Sequence, residues 1–156
     1  MLVDPLAPTG LFDLVDLELQ RSNFDGARAY LARARSQFGN SPAVQWRAID
    51  IEIKQRNTEA ALALLTDEFV NIPTYAYYGP IRAVLRGDLD EAIRLAETLE
   101  ASGEFDGALP IVFTAIGDRE RARRAVRDID SRVAGPTMLA LQLSTLAAPF
   151  WFDLDD

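Results

Sequence analysis

Asp13 and Asp16 are the first side chains in this sequence whose type and spacing invite a chemical reading. Two carboxylates on one helix can serve as acid and base when the pKa of one is lifted. Nothing adjacent in the sequence lifts either, and no nucleophile accompanies them. The chain has no His and no Cys, which excludes His-based triads, thiol chemistry and zinc sites of the Cys/His type. No P-loop or dinucleotide fingerprint is present. Asp88-x-Asp90 and Asp128-x-Asp130 begin like a calcium loop but lack the following glycine and closing Glu. Arg86-Gly87-Asp88 is the tripeptide of integrin ligands, yet its Gly and Asp are turn and cap residues here. These residues point to a protein that binds rather than catalyses, with no cofactor and no metal.

The bulk composition narrows what is bound. A net charge of −8 over 156 residues argues against nucleic acid and against anionic lipid surfaces. The N-terminal Met1-Leu2-Val3-Asp4-Pro5 has no basic segment leading into an apolar run. The longest apolar stretch, Ala108 to Ile116, falls well short of the ~20 residues of a membrane span. A cytoplasmic protein is expected. All basic residues but Lys54 are arginines, a bias expected of a GC-rich, bacterial genome.

The elements that position these side chains are helices. Leu11, Leu14, Val15, Leu17 and Leu19 mark the first, and Ala27, Tyr30, Leu31 and Ala34 the second. Gly39-Asn40-Ser41-Pro42 ends that helix, with Ser41 placed to cap the next and Pro42 at its first position. The third runs from Pro42 to Gln55, marked by Val44, Ala48, Ile49, Ile51 and Ile53, and its partner starts near Thr58. Asn71-Ile72-Pro73-Thr74 is a break. Asp88 or Asp90 caps a helix from Glu91 to Ala101, and another starts after Asp118 with Ala122, Ala125, Val126, Ile129 and Val133 inward. Gly135-Pro136 ends it, and Pro136 to Ala147 reads as one more helix. The Arg-rich stretch Arg119 to Arg132 reads as a solvated outer face.

A polar turn followed by a small residue recurs four times along these helices. The copies are Ser22-Asn23-Phe24-Asp25-Gly26-Ala27, Arg56-Asn57-Thr58-Glu59-Ala60-Ala61, Gly87-Asp88-Leu89-Asp90-Glu91-Ala92 and Gly117-Asp118-Arg119-Glu120-Arg121-Ala122. The alanines are spaced by 34, 31 and 30 residues, a period of stacked helical hairpins. Pro80 and Pro110 each lie seven residues before the glycine of their copy, where the first two copies have Val15 and Ile49. A proline inside a helix costs about 3 kcal/mol or more, so these helices are kinked or begin at the proline. The copies therefore form two pairs, one regular and one modified.

On Gly87-Asp88-Leu89-Asp90-Glu91-Ala92-Ile93, and on Phe24-Asp25-Gly26-Ala27 with Leu31 and Ala34, the chain resembles the tetratricopeptide repeat (TPR) family over residues 5 to 133. Asp4-Pro5 looks like the Asp-Pro closing a preceding repeat, as if a longer array continued upstream. The resemblance implies an all-α, right-handed superhelical stack in one domain of residues 1–156. Its hairpins would span 8–38, 42–70, 73–101 and 105–134, with a C-terminal helix and tail over 136–156. It implies a concave groove lined by Phe12, Asp13, Asp16 and Leu19, by Trp46, Arg47, Asp50 and Lys54, by Tyr77, Tyr78 and Ile81, and by Ile111 and Thr114. Trp46 suits either that groove or the packing between helices of one hairpin. More loosely, the Arg-rich style and Pro149-Phe150-Trp151-Phe152-Asp153-Leu154-Asp155-Asp156 resemble repeat regions of bacterial signalling proteins.

The function expected is a non-enzymatic interaction module that takes a peptide or protein segment, basic in character, in an aromatic and acidic groove. The alternative is a ligand-sensing regulatory domain with a pocket near Pro80, Pro110, Tyr75, Tyr77 and Tyr78. The aromatic tail either covers the last helix or supports self-association through an array end.

Overall fold

In a computed structural model, residues 8–103 and 108–132 are described, and they form helices joined by short turns. In chain order these are α1 (Pro8–Gln20), α2 (Phe24–Phe38), α3 (Pro42–Lys54), α4 (Thr58–Leu64), α5 (Asp67–Val70), a 3₁₀ turn (Pro73–Tyr75), α6 (Tyr78–Leu85), α7 (Leu89–Ser102), α8 (Leu109–Ile116) and α9 (Arg119–Arg132). No strand occurs among the described residues, so the all-α expectation holds there. Asp4-Pro5, Ile129 and Val133 as inward side chains, the helix expected over 136–147 and the aromatic tail lie outside what is described.

The helices group into two compact units divided between Leu64 and Leu65. Within the first, α1 packs on α2 and α3 on α4, while α3 also touches both α1 and α2. Within the second, α6 packs on α7 and α8 on α9, while α8 also touches both α6 and α7. Each unit thus holds two hairpins in one contact pattern. The core of the first is built from Leu11, Val15 and Leu19 of α1, Ala27, Leu31 and Ala34 of α2, and Val44, Ala48 and Ile51 of α3. Leu11, Val15 and Leu19 recur at four-residue steps and so fall on one helix face. Burying each such side chain is worth about 1.5–3 kcal/mol. Leu17, which also marks this helix in the sequence, is exposed.

The four turns share one hydrogen-bonding scheme. Ser22, Arg56, Gly87 and Gly117 are left-handed, with φ of 57°, 57°, 78° and 86°. The N–H of the next residue reaches back five positions: Asn23 to Glu18 O, Asn57 to Glu52 O, Asp88 to Ala83 O and Asp118 to Phe113 O, each at 2.9 Å. This is a Schellman ending of the first helix. The same Asn or Asp then caps the second helix, its Oδ1 accepting from Gly26, Ala60, Glu91 and Arg121 N–H at 3.2, 3.4, 3.1 and 2.9 Å. One residue therefore closes one helix and opens the next. The alanine that follows is buried in every copy.

The copies differ in how the turn is secured. In the first unit the left-handed residue is not glycine, and the cap is Asn. Asn23 Nδ2 donates to Glu18 Oε2 at 2.6 Å, and Asn57 Nδ2 to Glu52 Oε2 at 2.9 Å. In the second unit the left-handed residue is Gly and the cap is Asp, with Ala83 and Phe113 where the glutamates stood.

The prolines open helices instead of kinking them. Pro80 is the third residue of α6 and Pro110 the second of α8, where N–H groups have no intrahelical acceptor. Both helices are therefore 8 residues long, against 13 for α1 and α3, which accounts for the shorter repeat step. Two local expectations need correction. Ser41 sits at the N-cap of α3, but its side chain makes no capping bond. The second helix of the 42–70 hairpin stops at Leu64, because Thr66 leaves the helix and caps α5, its Oγ1 accepting from Phe69 N–H at 3.2 Å.

Candidate functional site

Eight of the expected groove residues come from facing helices of the first unit, with Leu19 of α1 among them. Phe12, Asp13 and Asp16 lie on α1, and Trp46, Arg47, Asp50 and Lys54 on α3. Arg47, Asp50 and Lys54 follow steps of three and four, which places them on one face of α3. Arg47 is the centre of the cluster. It is only 8% exposed and donates through Nη2 to Asp16 Oδ2 at 2.9 Å. Its guanidinium carbon lies 3.9 Å from the Trp46 ring centroid and 4.8 Å from that of Phe12. Arg47 Nε has no acceptor among the described residues, so ring faces supply part of what a hydrogen bond would.

Burial dominates the electrostatics. It raises the Asp16 carboxyl above its ordinary value, and Asp13 adds to the rise, while the Arg47 and Lys54 charges work the other way. Burial likewise lowers Lys54, opposed by Asp50 and Asp16. Three acids, Asp13, Asp16 and Asp50, thus act on two bases, Arg47 and Lys54, across α1 and α3. The direction of the Asp16 shift is upward, and its carboxylate is engaged by Arg47.

This placement corrects several expectations. Asp50 is 2% exposed, so its carboxylate is not offered to solvent. Arg47 is a packed cation, and Leu19 is core. Asp13 is exposed, while Phe12, Trp46 and Lys54 are half-buried. In the second unit Tyr78, Ile81, Ile111 and Thr114 are buried, and Tyr77 is half-buried. Tyr77 and Tyr78 have centroids 4.5 Å apart. Phe69 of α5, which sequence reasoning did not single out, stacks on Tyr75 at 4.8 Å and meets Tyr78 edge-on at 5.7 Å. Its only sequence signal was a position between the capping Thr66 and the Pro73 break.

The second unit also carries an open groove of about 370 Å³ with mixed polar and apolar lining, formed by α7, α8 and the first turn of α9. Leu89, Ile93, Phe113 and Ile116 line it, with Asp118 and Arg121 at its polar side. Leu89 and Ile93 are 48% and 36% exposed. Arg121 spans from Asp118 to Glu97, each at 3.5 Å, and lies 5.6 Å from the Phe113 ring centroid. The walls of this groove include neither Pro80, Pro110 nor the tyrosines.

No group of acidic side chains suited to a metal ion occurs among the described residues, and no described helix is long and apolar enough to cross a membrane. The chain matches no family model, no curated protein and no solved structure.

Proposed function

We propose that this chain is a non-enzymatic interaction module of TPR-like helical hairpins that binds a peptide or protein segment. The observation that carries the reading is the fourfold junction, in which the same turn, the same cap and a buried alanine recur at each hairpin. Hairpins that cannot bury their own apolar faces stack, and stacking leaves extended surfaces suited to binding. On the α1/α3 face the groups open to a partner are Asp13, Phe12 and Trp46, an acidic residue beside two half-exposed rings. Such a face favours a basic segment with an apolar or aromatic anchor. A cytoplasmic setting, in the repeat region of a bacterial signalling protein, accords with this reading.

The test is selection of peptides from a random display library on the immobilised full chain. Enriched sequences should be basic, and Asp13→Arg together with Phe12→Ala should weaken them by about tenfold or more, equivalent to ~1.4 kcal/mol. Helicity should stay near that of the parent, while melting falls because the Phe12 ring packs on the core and against Arg47. No enrichment, or binding indifferent to both substitutions, would overturn the assignment to this face.

A further inference from the structure

We infer that the groove formed by α7, α8 and α9 is a second docking site, whose occupant is a partner's peptide segment carrying a large apolar side chain flanked by Arg or Lys. The site shares the peptide-binding reading proposed above but stands on other helices and other residues.

The repeat itself shows that the fold does not demand this groove. Positions can be counted from the capping residues, Asn23 and Asn57 in the first unit and Asp88 and Asp118 in the second. Ile93, Phe113 and Ile116 then hold the places of Arg28, Glu52 and Gln55. In the first unit those three close the junction: Arg28 Nη2 donates to Glu52 Oε1 at 2.9 Å and also to Gln55 Oε1. The same junction therefore forms with a polar bridge across it. In the second unit apolar side chains replace the bridge, and the place is an open groove. Three large apolar side chains are exposed among the described residues, Leu17, Leu89 and Ile93, and the last two border this groove. Apolar side chains gathered on a concave surface mark binding sites, whereas single scattered ones do not.

The charge around the groove selects the occupant. Arg121 is approached by Glu97 and Asp118 at 3.5 Å and by Glu100 at 4.0 Å, so three carboxylates share one guanidinium. Asp90, Ile93, Glu97 and Glu100 follow steps of three and four along one face of α7. Arg94, also on α7, is held by Glu91 at 2.7 Å. Even with Arg124, one turn along α9 from Arg121, the acids Asp90, Glu97, Glu100 and Asp118 outnumber the bases. Ala32 and Arg35 hold the places of Glu97 and Glu100 in the first unit, so the acidic surround accompanies the apolar replacement. An apolar anchor fits among Leu89, Ile93 and Ile116, and basic flanks meet the surplus carboxylates.

The test selects peptides from a random display library on the immobilised full chain and sorts the enriched sequences by substitution. Ile93→Arg brings the residue type that Arg28 supplies at the same place in the first unit, so this helix position accepts it. Asp13→Arg reverses charge on the α1/α3 face. Groove binders should pair an apolar anchor with Arg or Lys and lose about tenfold or more in affinity with Ile93→Arg and with Leu89→Ser. They should be indifferent to Asp13→Arg. Glu97→Gln with Glu100→Gln should weaken them and flatten their salt dependence. Circular dichroism should find the helicity of every variant equal to that of the parent. Enriched peptides that all respond to Asp13→Arg and none to Ile93→Arg would overturn this site and leave the α1/α3 assignment standing. Groove binders lacking Arg and Lys would overturn the inference as well. No enrichment at all would overturn both sites.

Discussion

Arg47 Nη2 lies 2.9 Å from Asp16 Oδ2, a bond that joins the first helices of two successive hairpins across 31 positions of sequence. The Arg47 side chain is 10% exposed and that of Asp16 29%. Removing one partner of a buried pair leaves the other uncompensated, whereas replacing both by apolar groups is often neutral. Asp16→Ala should therefore destabilise by about 2–4 kcal/mol, somewhat reduced by the partial exposure of the carboxylate. Asp16→Leu with Arg47→Met should lie closer to the parent than either single change. Urea melts of the three variants check this, and strictly additive losses would show the pair to be uncoupled.

The same cluster sets a pH dependence. The folded Asp16 carboxyl titrates above its ordinary value of 3.8, chiefly through burial. Between those two values the folded chain holds more protons than the unfolded one, so this contribution to stability falls as pH rises through the window. Lys54 titrates below its ordinary 10.5, again through burial. There the unfolded chain holds more protons, so stability from this group rises with pH between the folded value and 10.5. Stability curves for the parent, Asp16→Asn and Lys54→Met should differ in slope in the acid and alkaline windows respectively. Parallel curves in both windows would contradict the assignment.

Ser22 and Arg56 occupy left-handed backbone that glycine fills in the other two copies. A side chain there costs about 1–2 kcal/mol, partly offset because glycine loses more entropy on folding. Ser22→Gly and Arg56→Gly should each raise stability by about 0.5–1 kcal/mol. Gly87→Ala and Gly117→Ala should each lower it by about 1–2 kcal/mol. A Cβ at either glycine meets no atom within 4 Å, so that loss comes from φ alone. Thermal melts of the four variants measure both signs.

Asn23 and Asn57 cap a helix and also donate to a glutamate five residues earlier. Asn23→Asp keeps the cap but sets a second carboxylate against Glu18, and should lose about 0.5–1 kcal/mol. Asn57→Asp should lose less, because Arg28 donates to Glu52 Oε1 at 2.9 Å and offsets the added charge. Asp88→Asn should be nearly neutral, since Ala83 holds the corresponding place. Equal losses at all three sites would mean that the bridge contributes nothing beyond capping.

The fourfold period, the hairpin junctions and the two classes of repeat were legible in the residues because they are local. A Schellman ending, an Asx cap and a proline in the first turn are set by side chains within six residues of one another. The division between Asn/Glu and Gly/Asp junctions is equally visible, and it coincides with the boundary between the two units. Sequence reading did not find the break at Thr66, where a good helix pattern yields to a local cap. Nor did it find the packing role of Phe69.

By itself, then, the sequence determined that the described residues form repeated helical hairpins, and where each turn falls. Tertiary structure alone decided which charges among them reach solvent. Asp13, Asp16 and Asp50 look alike in the sequence, yet one is exposed, one is paired with Arg47 and one is buried. Helical periodicity assigns a residue to a face. Whether another helix covers that face, and with which counter-charge, depends on groups far away along the chain.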